Sequence, residues 1–167
     1  FNSPTLGSIR IRYNKIMSDE HIYKSHNKTL LLYHLVFPAK YRKKVFDENI
    51  DKKLRDVCIE ISERYEIIFI EIGNDENHVH FLVQSVPTIS VTKVVTTIKS
   101  ITAREIFKEF PKLRKDMWGS SLWTSGYYVN TVGLYASKDT IKNYIKNQGS
   151  EEKNYKKIYE GQLKFDL

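Results

Sequence analysis

Cysteine is almost absent: Cys58 stands alone among 167 residues. No disulfide can form within the chain, a reducing compartment is the default, and burial and hydrogen bonding must hold the fold together. Glycine and proline are sparse, seven and four, and no Gly/Ser linker, internal repeat or low-complexity stretch divides the chain, which suits one domain better than two. No apolar run approaches the roughly 18 residues of a membrane span. The N-terminal FNSPTLGSIRIRYNKI lacks the apolar middle of a signal peptide, so a cytoplasmic protein with no membrane partner is expected. A P-loop pattern is missing as well.

Acidic residues are the minority charge. Twenty Asp and Glu face 27 Lys and Arg, a formal net charge of +7 and a pI near 9.3. Eleven tyrosines, eight phenylalanines and two tryptophans are interleaved with that charge. Cations for phosphates and flat rings for bases make the composition that single-stranded nucleic acid favours. An ordinary basic surface is the competing reading of composition by itself.

Residues 1–28 are polar and irregular, with Pro4 and Gly7, and read as an extension; Met17 leaves open whether the first sixteen residues belong to the natural start. A domain is expected over residues 29–150 and a charged tail over 151–167. The apolar, aromatic run 29–37, stopped by Pro38, predicts a buried strand, and the basic segment Lys40-Tyr-Arg-Lys-Lys44 follows it. Asp47 is placed to cap a helix whose apolar residues fall at Ile50, Leu54, Val57 and Ile61. Residues 67–72 and 78–85 predict two strands joined by the turn 73–77. A long helix is expected from Ser90 to the residue before Pro111, then an aromatic strand over 122–132 interrupted by Gly126. A short helix from about Lys138 to Gln148 precedes Gly149. Strand, helix, strand, strand, helix, strand, with one added helix, is the α+β, ferredoxin-like (split βαβ) order: an antiparallel sheet with two helices on one face.

Residues two apart in a strand point the same way. His78 and His80 therefore share one face, and Val79, Phe81 and Val83 the other. With the apolar side under the helices, the histidines fall on the open sheet face, where two imidazoles can chelate one divalent metal. Two polar residues at a strand start are the plainer alternative. The turn before them is rich in oxygen donors, Asn74, Asp75, Glu76 and Asn77. Tyr144 and Gln148 lie four apart, neighbours on one helical face: an amide oxygen to complete a metal site and a phenol beside it. Flanked by Ile141 and Ile145, Tyr144 also reads as a core aromatic. Without cysteine ligands or a third histidine close by in the sequence, a hard ion, Mg²⁺ or Mn²⁺, suits the set better than Zn²⁺. His21, His26 and His34 read as structural or incidental.

Glu76-Asn-His-Val-His-Phe-Leu-Val83 resembles the His-hydrophobic-His (HUH) motif of single-tyrosine nucleases, and Thr140-Ile-Lys-Asn-Tyr-Ile-Lys-Asn-Gln148 resembles the nucleophile helix of the smallest insertion-sequence transposases, often called TnpA. Tyr33-His-Leu-Val-Phe37, the basic segment 40–44, Lys108-Glu-Phe-Pro111 and the stretch 122–133 are similar to that family in the same order. The resemblance implies a ferredoxin-like homodimer that cleaves and rejoins single-stranded DNA at hairpins near element ends. His78, His80 and Gln148 would hold the metal and Tyr144 would be the nucleophile, with the site shared between protomers. Lys40, Tyr41, Arg42, Lys43 and Lys44 are candidates to grip DNA, and Lys99 and Arg104 match the family pattern only approximately. Trp118, Trp123, Tyr127 and Tyr128 are candidates to stack on bases or to fill core. An immobile nickase acting on host repeats would carry the same residues. A non-catalytic single-strand-binding module would need neither metal nor Tyr144.

Overall fold

Eight consecutive residues, Leu31–Pro38, form the central strand β3, and all but its ends are buried, as expected of a strand covered on both faces. The structure, a computed structural model, describes residues 21–118 and 121–133; the expected helix bearing Tyr144 and Gln148, and the tail after it, lie outside them. Before β3, strands β1 (Ile22–Lys24) and β2 (Asn27–Thr29) pair antiparallel around the two-residue turn Ser25-His26. That hairpin falls inside the segment expected to be irregular. Its side chains are mostly exposed, so no apolar period announces it.

Helix α1 (Glu48–Arg64) starts where expected. Asp47 Oδ1 accepts from the backbone N–H of Asn49 at 3.0 Å and of Ile50 at 2.9 Å, a cap of the kind that contributes about 1 kcal/mol. Ile50, Leu54, Val57, Cys58 and Ile61 form its buried stripe. Strand β4 (Ile67–Asp75) runs three residues further than expected. Its ladder holds through Gly73 to Asp75↔His78, so the turn into β5 (His78–Ser85) shrinks to Glu76-Asn77. Helix α2 (Val91–Glu109) is capped by Ser90 Oγ, which accepts from Lys93 N–H. Pro111 does not merely end it but opens a short helix α3 (Pro111–Asp116), where its missing N–H costs nothing. Of the expected strand 122–132, only β6 (Tyr128–Thr131) joins the sheet, and Trp123 makes a single bridge to Ala39.

The sheet order is β4-β5-β3-β6, every pairing antiparallel. This is the split βαβ, ferredoxin-like arrangement. Leu35, Phe37, Val79, Phe81 and Val83 pack with the buried stripes of α1 and α2 in the main core. Full burial of such side chains is worth ~1.5–3 kcal/mol each. Among the described residues, no helix is long and apolar enough to cross a membrane.

Candidate active site on the second sheet face

The helix-covered face takes the odd-numbered residues of β3 and β5, which leaves Leu32, His34 and Val36 of β3 on the second face with His78, His80, Leu82 and Gln84 of β5. The pairing fixes their positions: Val36 lies opposite His80, and His34 opposite Leu82. His34 and His80 are thus diagonal cross-strand neighbours, a separation that ring side chains can bridge. Of the pair expected on an open face, His78 is half-buried and His80 is buried. His80 is 1% exposed and His34 8%, and Leu32, Leu82 and Val132 form a second apolar cluster on that side. The inner strands of this sheet are buried on both faces, and the imidazoles share the second one with that cluster.

The rings of His78 and His80 lie 4.9 Å apart, centroid to centroid, at 62°. His78 Nδ1 is 2.7 Å from Asn77 Oδ1. An amide oxygen only accepts, so the proton of neutral His78 sits on Nδ1 and its Nε2 presents a lone pair. His80 Nδ1 is 3.0 Å from His34 Nε2, so one of these two rings donates to the other. Burial pushes the His80 pKa down to about 2, with neighbouring His34 and His78 adding to the effect. Burial likewise lowers His34 to about 4. His78 is lowered by burial and by Arg42, against the opposing pull of Asp75. Neutral imidazoles are the form that binds metal, so the chemistry of these two donors fits a divalent ion. His34 is not a third ligand, because it meets His80 nitrogen to nitrogen. Among the described residues no three His, Cys, Asp or Glu side chains converge in metal-holding geometry.

Of the turn oxygens expected to favour a metal, Asn77 orients His78, Asp75 Oδ1 accepts from Glu76 N–H, and Glu76 pairs with Lys44 at 2.5 Å. The basic segment wraps over this turn: the N–H groups of Ala39, Val45 and Phe46 donate to the carbonyls of Asn77 and Glu76. That strap puts Arg42 and Lys44 near the mouth of the histidine site. Tyr41 and Arg42 hold left-handed backbone angles, φ 60° and 53°, as does Trp118 at 56°, uncommon for residues with side chains and typical of functional positions. Tyr41 is 61% exposed and Trp118 82%, with ring centroids 6.2 Å apart. Lys40 lies over the Tyr41 ring and Lys43 over the Trp118 ring, and Lys43 Nζ also donates to the Asp116 carbonyl.

Lys99 has other partners. Its ammonium donates to the carbonyls of Thr124, Ser125 and Gly126 at 2.9, 3.3 and 2.7 Å and sits over Phe37 and Tyr127. Those contacts tie the 124–126 turn to α2. Arg104 pairs with Glu105 and lines a pocket of about 370 Å³ with Phe107, Lys108 and Arg114, away from the histidines. Trp123 belongs to the core, its Nε1–H donating to Thr102 Oγ1 at 3.0 Å. His34, expected to be structural or incidental, is buried and lies beside His80.

The family model described as "Transposase IS200 like" matches residues 27–148. The chain is 32% identical over 124 residues to the ISDra2 transposase TnpA of Deinococcus radiodurans, covering 73% of this chain and 86% of that one. It is 28% identical over 129 residues to the transposase for insertion sequence element IS200 of Salmonella typhimurium, covering 77% and 84%. A crystal structure of a Deinococcus radiodurans R1 protein assigned as a transposase superposes with a TM-score of 0.62 at 28% identity, over 76% of this chain and 97% of that one. Transposases cleave DNA and transfer its strands, and this chain, matched across most of its length, belongs to the IS200-like transposase family.

Proposed function

We propose that the chain is a metal-dependent transposase that cleaves and rejoins single-stranded DNA at hairpin-marked element ends, working as a homodimer in the cytoplasm. The observation that carries this reading is the pairing of His78 and His80 on one strand face, with Nδ1 of each within hydrogen-bond distance of a neighbour and their rings 4.9 Å apart. Gln148 completes the ligand set, and Tyr144, four residues before it in the sequence, is the nucleophile. When bound, Mg²⁺ or Mn²⁺ polarises the scissile phosphate and offsets the weak nucleophilicity of a phenol whose ordinary pKa is about 10.

Tyr144 Oη attacks phosphorus in line. As the Oη–P bond forms, the P–O3′ bond breaks, the phenolic proton is lost to solvent and the departing 3′-oxygen takes one up. The 5′-phosphotyrosine keeps the phosphodiester energy. A second 3′-hydroxyl then attacks the same phosphorus, releasing the tyrosine and joining strands without ATP. One tyrosine per protomer suits two cuts by two protomers, the Tyr144 helix of one completing the histidine site of its partner. Lys40, Arg42 and Lys44 supply positive charge at the site's edge for the DNA backbone. Tyr41 and Trp118, exposed and flanked by cations, suit stacking on unpaired bases.

A labelled hairpin-bearing single strand, incubated with the full chain and Mg²⁺ or Mn²⁺ and run on a denaturing gel, tests the reading. A shifted band that survives denaturation, and disappears with chelator and in Tyr144→Phe, is expected. DNA that binds yet never becomes covalent with either metal would overturn it.

A further inference from the structure

His34 lies outside the His-hydrophobic-His motif, on a different strand, yet its ring meets the motif directly: Nε2 lies 3.0 Å from His80 Nδ1. The two rings are nearly parallel, 18° between planes and 5.3 Å between centroids. The position is built in by the sheet. His34 is paired with Leu82 on one side and Asn130 on the other, near the middle of an inner strand, and the Tyr128 ring meets it edge-on at 6.0 Å. A ring so placed has little freedom to turn.

One hydrogen lies between the two nitrogens. If His34 donates it, the proton of neutral His80 must sit on Nε2, and that nitrogen has no lone pair for a metal. If His80 donates it, Nδ1 carries the proton and Nε2 is free to ligate. We propose that His34 is a positioning residue: it accepts the His80 Nδ1–H and thereby holds His80 in the tautomer and orientation that present Nε2 to the metal. His34 then does for His80 what Asn77 does for His78. The two supports differ in kind, since an amide oxygen can only accept while an imidazole nitrogen can do either. Partners of this sort orient metal-binding histidines, and losing one weakens metal affinity by about 10- to 100-fold.

The inference rests on the metal reading proposed above, and its test separates the two. Imidazole ¹⁵N NMR of the metal-free full chain at pH 7.5 reports the His80 tautomer directly. Protonation at Nδ1 is expected in the wild type and in His34→Gln, whose amide oxygen can stand where Nε2 stands. Loss of that preference is expected in His34→Leu. Mn²⁺ titration of the same three proteins should show about 10-fold or greater weakening in His34→Leu and recovery to near wild type in His34→Gln. Wild-type His80 protonated on Nε2, or His34→Leu binding Mn²⁺ as tightly as wild type, would overturn the proposal. Should His34→Leu fail to fold, the wild-type tautomer and the His34→Gln affinity still decide. A wild type that binds no Mn²⁺ while His80 stays protonated on Nδ1 would sink the metal reading and leave the His34–His80 bond standing.

Discussion

The two faces of the β3–β5 pair are both largely buried but differently made. Under the helices, Leu35, Phe37, Val79, Phe81 and Val83 interlock with apolar partners. On the opposite face, His34, His80 and Gln84 are buried beside Leu32 and Leu82. Burying polar groups costs free energy unless each is hydrogen-bonded, and on this face the His34–His80 contact supplies such a partner.

Substitutions should separate the two. On the helix side, Phe81→Ala is expected to destabilise the protein by about 3–5 kcal/mol, measured by chemical denaturation, with metal affinity kept in whatever remains folded. Across the sheet, His80→Ala should reduce metal-dependent cleavage by more than about 100-fold while circular dichroism still shows a folded protein. Equal loss of folding in both variants would erase the distinction. A third change probes the support around the faces: Lys99→Met removes three charge-assisted bonds to the 124–126 turn and should cost ~1–3 kcal/mol, with hydrogen exchange rising first at that turn.

Acid should strike the histidine face selectively. His34 and His80 are held below the ordinary histidine pKa of about 6.5, His34 to about 4. The unfolded chain therefore takes up protons that the folded chain refuses. Stability is full above about pH 6.5 and falls as pH drops from there toward 4, by up to ~1.4 kcal/mol per pH unit for each histidine. Melting temperature measured against pH should show that slope in the wild type and a shallower one in His34→Gln. The smallest effect belongs to the exposed Lys44–Glu76 pair: Lys44→Gln should leave the melting temperature nearly unchanged, with salt erasing what difference there is.

Much of the helix-covered face could be read from the sequence, because period two in the strands and helical spacing at Ile50, Leu54, Val57 and Ile61 carry the same message. The histidine face was legible only within β5, where His78 and His80 sit two apart. The nearness of His34 to His80, 46 residues apart in the chain, depends on the pairing register of β3 and β5, and nothing local encodes that register. The left-handed backbone at Tyr41, Arg42 and Trp118 was equally silent, since no glycine marks those positions. The shortness of β6 had a visible cause in Gly126, but the Lys99 clamp that holds the preceding turn could not be seen. Pro111 marks the end of one helix, and the same residue is a good first position of the next.

Pulsed electron paramagnetic resonance of Mn²⁺ bound to the full chain tests the proposed coordination of a divalent ion by the Nε2 atoms of His78 and His80. Hyperfine couplings from two imidazole nitrogens are expected, one lost in His78→Ala and the other in His80→Ala. Bound Mn²⁺ without imidazole coupling, or couplings unchanged by both substitutions, would contradict it.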